Sequence, residues 1–235
     1  MKYIQKKGPP HNYNKWRREV RGTADEDYRQ LRNPLKSELH MALLEEQGWL
    51  CAYTMRRIDE VSSHIEHIKP ETVCRDERAG ADLDYHNLVA CFPRDGMKGR
   101  YRYGAHEKDG WWEDDGNEFV SPLQPNCETR FRFEMDGSIK PVRNHTGAIT
   151  TIRVLRLDHQ SLQDDRKRAI EEFIFGPSGD EPLSIAKTNR AMASICHRNA
   201  NRYFFEFCVA IRDSLLLHLR NLTKLAERNK YSRKR

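Results

Sequence analysis

The stretch "SSHIEHIKPE", residues 62–71, sets His64 and His67 around Ile65 and Glu66 and closes with Pro70. In a strand, adjacent side chains point to opposite faces, so Glu66 and His67 diverge while remaining neighbours. Pro70 has no N–H to give a ladder and helps to end the strand and turn the chain. Metal-assisted phosphodiester cleavage needs this division of labour: one group holds a divalent cation against the phosphate, and a neighbour takes a proton from water. A carboxylate suits Mg²⁺, and an imidazole, with its ordinary pKa of about 6.5, suits the base.

Outward from this run, residues 49–112 hold short apolar stretches ("LCAY", "HIEHI", "NLVAC") between polar loops, a hairpin texture rather than a helical one. Upstream, "NPLKSELHMALLEEQGW" predicts a helix: Asn33 can cap it, Pro34 suits its first position, Leu35, Leu39, Ala42 and Leu43 share a face, and Gly48 can end it. The first thirty residues, broken by Gly8-Pro9-Pro10, read as an extended basic arm with Tyr13 and Trp16 as anchors. Downstream, "RFRFEMDGSIKP" turns at Asp136-Gly137 as a hairpin, and "TIRVLRLD" alternates in the same strand-like way. Three helical segments follow, and Phe204, Cys208, Ile211, Leu215 and Leu222 form one stripe on the last. The expected fold class is α+β. Residues 1–47 read as an arm and helix, 48–112 as a small module that the motif resemblance set out next implies to be ββα-metal, and 113–235 as an irregular hairpin segment followed by helices.

"SHIEHIKPE", then "DLDYHNLVAC", then "GAHEKDG" resembles the HNH endonucleases, ββα-metal nucleases with an acid-His-x-x-Pro run, an Asn-Leu and a terminal His-x-x-Lys or Asn-x-x-Lys. The resemblance implies His67 as the general base, Glu66 and His106 as metal ligands, and Asn87 as the group that bonds across the hairpin to fix the loop orienting His67. It implies Lys108 near the phosphate backbone or behind the ligands. The cofactor would be Mg²⁺ or Mn²⁺. His64 is an additional candidate ligand, weighed against the plainer role of a packed histidine. The flanks "GWLCAYTMRRI" and "FVSPLQPNCETRFRFEMDGSIKP" resemble the HNH subunit, PtuB, of Septu-type anti-phage systems, also found as a retron effector. That resemblance implies DNA as substrate and an ABC-type ATPase subunit, PtuA-like, as partner.

Such modules often carry a structural zinc on two cysteine pairs. Here Cys51 and Cys91 stand as remnant positions, but Thr54 occupies the second place of the first pair, and Gly104 and Ala105 precede His106 where a cysteine is expected. Two sulfur ligands do not close a tetrahedral zinc site, so the structural zinc is expected to be absent.

The composition fits these readings. Charged residues make up 32% and the net charge is +6, with cations crowded at both ends: Lys2, Lys6, Lys7, Lys15, Arg17, Arg18 and Arg21, then Lys224, Arg228, Lys230, Arg233, Lys234 and Arg235. Basic ends suit a polyanion, since each phosphate neutralised releases counterions, although solvated tails have the same composition. The six cysteines lack repeated spacing, as expected for thiols in a reducing compartment, and neither a signal peptide nor a long apolar run can be read. A cytoplasmic location is expected. Two other functions fit the same residues: a non-catalytic DNA-binding or scaffold subunit descended from a nuclease, and a nuclease acting on tRNA.

Overall fold

A computed structural model of the chain describes residues 1–97 and 99–232. It is a mixed α+β protein with two separate two-stranded antiparallel sheets, carried among helices. Arg233, Lys234 and Arg235 of the basic tail lie outside the described residues.

The N-terminal segment is not an arm laid over the surface. Met1 and Ile4 are buried, and the Ile4 N–H donates to the Pro122 carbonyl at 2.9 Å. Lys2 pairs with Glu128 at 2.6 Å, and Lys6 pairs with the enclosed Glu46 at 2.7 Å while donating to the Leu88 carbonyl. Apolar residues at positions 1 and 4 draw the segment inward, and each buried cation is answered by a carboxylate. Beyond Pro10 the chain forms helix α1 (His11–Glu19), where an extended segment was expected. Tyr13 anchors it: the ring is fully buried and its hydroxyl donates to the Leu83 carbonyl at 2.8 Å.

Helix α2 (Leu35–Glu46) buries Leu39 and Leu43 on the predicted face. Pro34 stands at its N-cap position without a side-chain cap, and Asn33 instead accepts from the Ser37 hydroxyl at 3.1 Å. A tight turn follows, in which Leu50 bridges Arg57 and the Met55 N–H donates to the Cys51 carbonyl at 3.0 Å. Strands β1 (His64–His67) and β2 (Leu88–Cys91) then pair antiparallel, with Glu66 opposite Val89 and His67 opposite Leu88. Between them lie helix α3 (Glu71–Glu77), which begins directly after Pro70, and two 3₁₀ turns at Ala81–Leu83 and Tyr85–Asn87. The one-turn helix α4 (Ala105–Lys108) completes a strand-strand-helix order. Strand β2 is buried along its whole length, so the hairpin is clamped from behind while its β1 edge faces a cleft.

The second hairpin, β3 (Phe131–Phe133) and β4 (Ile139–Pro141), turns at Asp136-Gly137 as the sequence predicted. Gly137 has φ +78°, and a Cβ there would stand 2.3 Å from the Gln163 carbonyl oxygen, so only glycine lets the tip lie against the helix Gln160–Phe175. The run "TIRVLRLD" is not a strand: its first five residues finish helix α5 (Thr146–Leu155). Ala148, Thr151, Ile152 and Leu155 recur at helical spacing and are all buried, and the His145 ring caps the first turn by accepting from the Ala148 N–H. Local β-branching gave the strand-like alternation, and packing along one helix face overrode it. Helices α6 (Gln160–Phe175), α7 (Ile185–Ser194) and α8 (Cys208–Ser232) follow the three predicted segments. On α8, Cys208, Ile211 and Leu215 are buried, whereas Phe204 precedes the helix and only packs against the core from its edge.

Candidate metal and catalytic site

Glu66, His67 and His106 line one cleft, of about 420 Å³, together with His64 and Asp95. Strand β1 supplies the first two and His64, α4 supplies His106, and the turn after β2 supplies Asp95. Ligand atoms of His64, Asp95 and His106 all lie within 4.8 Å of one another. The His64 and His106 rings face each other at 5.3 Å between centroids.

His64 is oriented for ligation. Its Nδ1 contacts the Pro93 carbonyl at 2.5 Å, and a carbonyl can only accept, so Nδ1 carries the proton and, in the neutral ring, Nε2 has the lone pair. Burial pushes the His64 pKa down, but the hydrogen bond and charge of Glu66, with the Pro93 carbonyl, more than offset this and leave it raised. A cation at Nε2 must displace the proton that Glu66 favours there, which makes metal affinity depend on pH.

Glu66 stands beside this trio. One carboxylate oxygen is 3.5 Å from His64 Nε2, and the other accepts from the Lys108 ammonium at 3.2 Å. Lys108 is 1% exposed and also donates to the His67 carbonyl at 3.1 Å. An ammonium so enclosed braces the ligand strand from within and has no open path to a phosphate.

His67 is buried, with its Nε2 bonded to the Asp82 carbonyl at 2.8 Å and Tyr28 set edge-on to its ring at 4.6 Å. The proton therefore sits on Nε2, and Nδ1 carries the lone pair. Burial holds the His67 pKa below the usual imidazole value, which keeps the ring neutral. Asn87 crosses the hairpin to both backbone groups of Lys69: its Oδ1 accepts from the Lys69 N–H, and its Nδ2 donates to the Lys69 carbonyl, each at 2.8 Å. This fixes the chain just past His67.

Cys51 and Cys91 lie together in the interior, 1% and 0% exposed, and share a thiol hydrogen bond. Burial pushes the Cys51 thiol up, but donors from Cys91, Thr54 and the Phe92 N–H outweigh it and bring it down to about 6; Cys91 is raised by burial and by that same partner. A Cβ on Gly104 would lie 3.4 Å from the Thr54 methyl, so Thr54 and Gly104 meet beside the two sulfurs. Among the described residues, no group of three ligating side chains includes either cysteine.

Sequence reasoning missed Asp95. It lies in a loop with no periodicity to read, and the available signal was an acid next to Gly96 just beyond the end of an apolar strand. The paired tryptophans near the cleft pack at its margin: Trp111 lies 5.9 Å from the Phe119 ring, and Trp112 donates to Asp115.

No protein-family model matches the chain. Over 154 residues, 63% of this chain and 69% of the relative, it is 28% identical to a protein of Vibrio cholerae serotype O1 biovar El Tor named "Retron Vc95 putative HNH endonuclease". The relative's name falls in the class that the sequence motifs resemble. No helix among the described residues is long and apolar enough to cross a membrane.

Proposed function

We propose that the chain is a divalent-metal-dependent endonuclease that hydrolyses DNA, and that it acts as the nuclease of a Septu-type defence complex beside an ABC-type ATPase. The observation that carries the hydrolytic reading is the convergence of His64, Asp95 and His106 within 4.8 Å, in the cleft that His67 also lines. These three residues would hold the cation, with Glu66 beside them as a fourth donor or a hydrogen-bond acceptor for bound water. Two imidazoles with a carboxylate favour Mn²⁺ over Mg²⁺, which prefers an all-oxygen shell. When bound there, the cation supplies charge stabilisation to the phosphate and to the departing oxygen.

The protein's own groups do the rest. Neutral His67 accepts a proton from the attacking water at Nδ1, and the Asp82 carbonyl stabilises the imidazolium that results. Asn87 holds the turn that sets His67, and Lys108 balances the Glu66 charge inside the protein. Lys36 lines the same cleft and offers positive charge to a phosphate chain. Exposed Arg220, Lys224, Arg228 and Lys230 on α8 extend the basic surface, a role that the paired Lys2 and Lys6 do not share. The defence role and the ATPase partner rest on the motif resemblance alone.

The test is incubation of purified protein, alone and with any ATPase that co-purifies with it, with plasmid, single-stranded DNA and tRNA in Mn²⁺, Mg²⁺ or EDTA. Metal-dependent loss of DNA that His67→Ala abolishes is the expected result. Cleavage of tRNA alone would redirect the reading to RNA. DNA binding without cleavage, indifferent to His67→Ala, would leave a scaffold.

A further inference from the structure

We propose a second divalent-cation site, built by Asp27, Glu71 and Asp82, which shares the Glu71 wall of the cleft but none of the residues His64, Asp95 and His106. One oxygen from each carboxylate lies within 4.8 Å of the others. The three come from different segments: the turn before the 3₁₀ helix Tyr28–Gln30, the first residue of α3, and the 3₁₀ turn Ala81–Leu83.

Asp82 points to a ligand by itself. Its side chain is fully buried, its Oδ2 accepts from the Tyr28 N–H at 3.0 Å, and its Oδ1 has no hydrogen-bond partner. Buried carboxylate oxygens are almost always satisfied, so an orphan oxygen on a buried side chain that clusters with two more carboxylates points to a cation. Nearby arginines do not fill it. Arg75 pairs with Glu71 Oε1 and lies 3.7 Å from Asp82 Oδ2, which leaves Oδ1 unanswered. Arg29 grips Asp27 with a guanidinium that is 67% exposed, so it sits on the solvent side.

The donor set is all oxygen and anionic, which selects Ca²⁺, Mg²⁺ or Mn²⁺ and disfavours zinc. The site also has a consequence for the cleft, because Asp82 is the residue whose carbonyl receives His67 Nε2–H. A cation tying Asp27, Glu71 and Asp82 together would hold that carbonyl still and keep the His67 ring in one tautomer and orientation.

The test uses the full chain carrying His106→Ala, which disables the cleft ligands, after dialysis against EDTA. Calorimetric titration with Ca²⁺ and a melting curve with and without it are the readouts. We expect a single saturable Ca²⁺ per chain and a higher Tm. Adding Asp27→Asn or Glu71→Gln, both on partly exposed residues of the site, is expected to weaken Ca²⁺ binding by about tenfold or more. Asp82→Asn goes to the centre and is a supporting variant only, since its fold is at risk. Absence of saturable binding in the His106→Ala chain, or binding that neither edge variant weakens, overturns the proposal. Neither outcome touches the nuclease reading, which Mn²⁺-dependent cleavage tests separately.

Discussion

His67 donates its Nε2–H to the carbonyl of Asp82 at 2.8 Å, and that bond decides which ring nitrogen can take a proton. Because burial depresses the His67 pKa in the folded chain, the unfolded chain binds its proton first as pH falls. The stability owed to this ring is thus present above the unfolded value of about 6.5 and is lost as pH drops through the lower folded value. The base form persists over the same window. We therefore expect the acid limb of the cleavage pH profile to fall below about pH 6.5. His67→Ala should lower kcat by about 10²- to 10⁴-fold. An acid limb centred above neutrality would remove His67 from the role of base.

Asp95 is the carboxylate that the cleft brings to the two histidines. It is exposed and outside any strand or helix, so Asp95→Ala should leave the fold intact. Its expected signature is a fall in Mn²⁺ affinity of about tenfold or more with little change in Tm, read by calorimetry and melting curves. If Glu66 rather than Asp95 completes the site, Asp95→Ala will bind Mn²⁺ as the wild type does.

Lys108 and Glu66 form a buried pair at 3.2 Å, with side chains 0% and 16% exposed. Lys108→Met keeps the length and apolar stem but strands the Glu66 charge and the His67 carbonyl. Breaking one side of such a pair costs about 3–5 kcal/mol, whereas replacing both with neutral groups costs far less. Chemical denaturation should therefore show a large loss for Lys108→Met and partial recovery in the Lys108→Met/Glu66→Gln double variant. Equal losses in both would mean that packing of the lysine stem, not charge, dominates.

The legible parts of this chain were those in which spacing itself encodes geometry. His64, Glu66 and His67 sit on one short strand and Asn87 directly precedes the next, so their meeting at one hairpin follows from its pairing. Asp95 is fixed by how a loop folds back, which no period records. The helix α5 was hidden because β-branched residues suit a strand locally, while the buried set at 148, 151, 152 and 155 becomes visible only when a partner face exists. The N-terminal cations look like a solvent-facing arm until Glu46 and Glu128, distant in sequence, are seen to meet them. Charge partners that distant in sequence leave no local trace.

Cys51 and Cys91 share a thiol hydrogen bond, and Thr54 donates to the same Cys51 sulfur. Thr54 is 2% exposed, so a cysteine of nearly equal volume fits its place with little strain. Two sulfurs hold zinc poorly; a third brings the set within one ligand of a closed tetrahedron, the last position being open to water. The wild-type chain dialysed against EDTA is accordingly expected to carry less than one zinc. Thr54→Cys should bind Co²⁺ with the thiolate charge-transfer absorption that sulfur ligation produces, and bind Zn²⁺ more tightly than the wild type. Stoichiometric zinc in the wild type, resistant to chelator, would mean that another donor already completes the site beside Cys51 and Cys91. No added absorption in Thr54→Cys would mean that the three side chains do not converge on a common point.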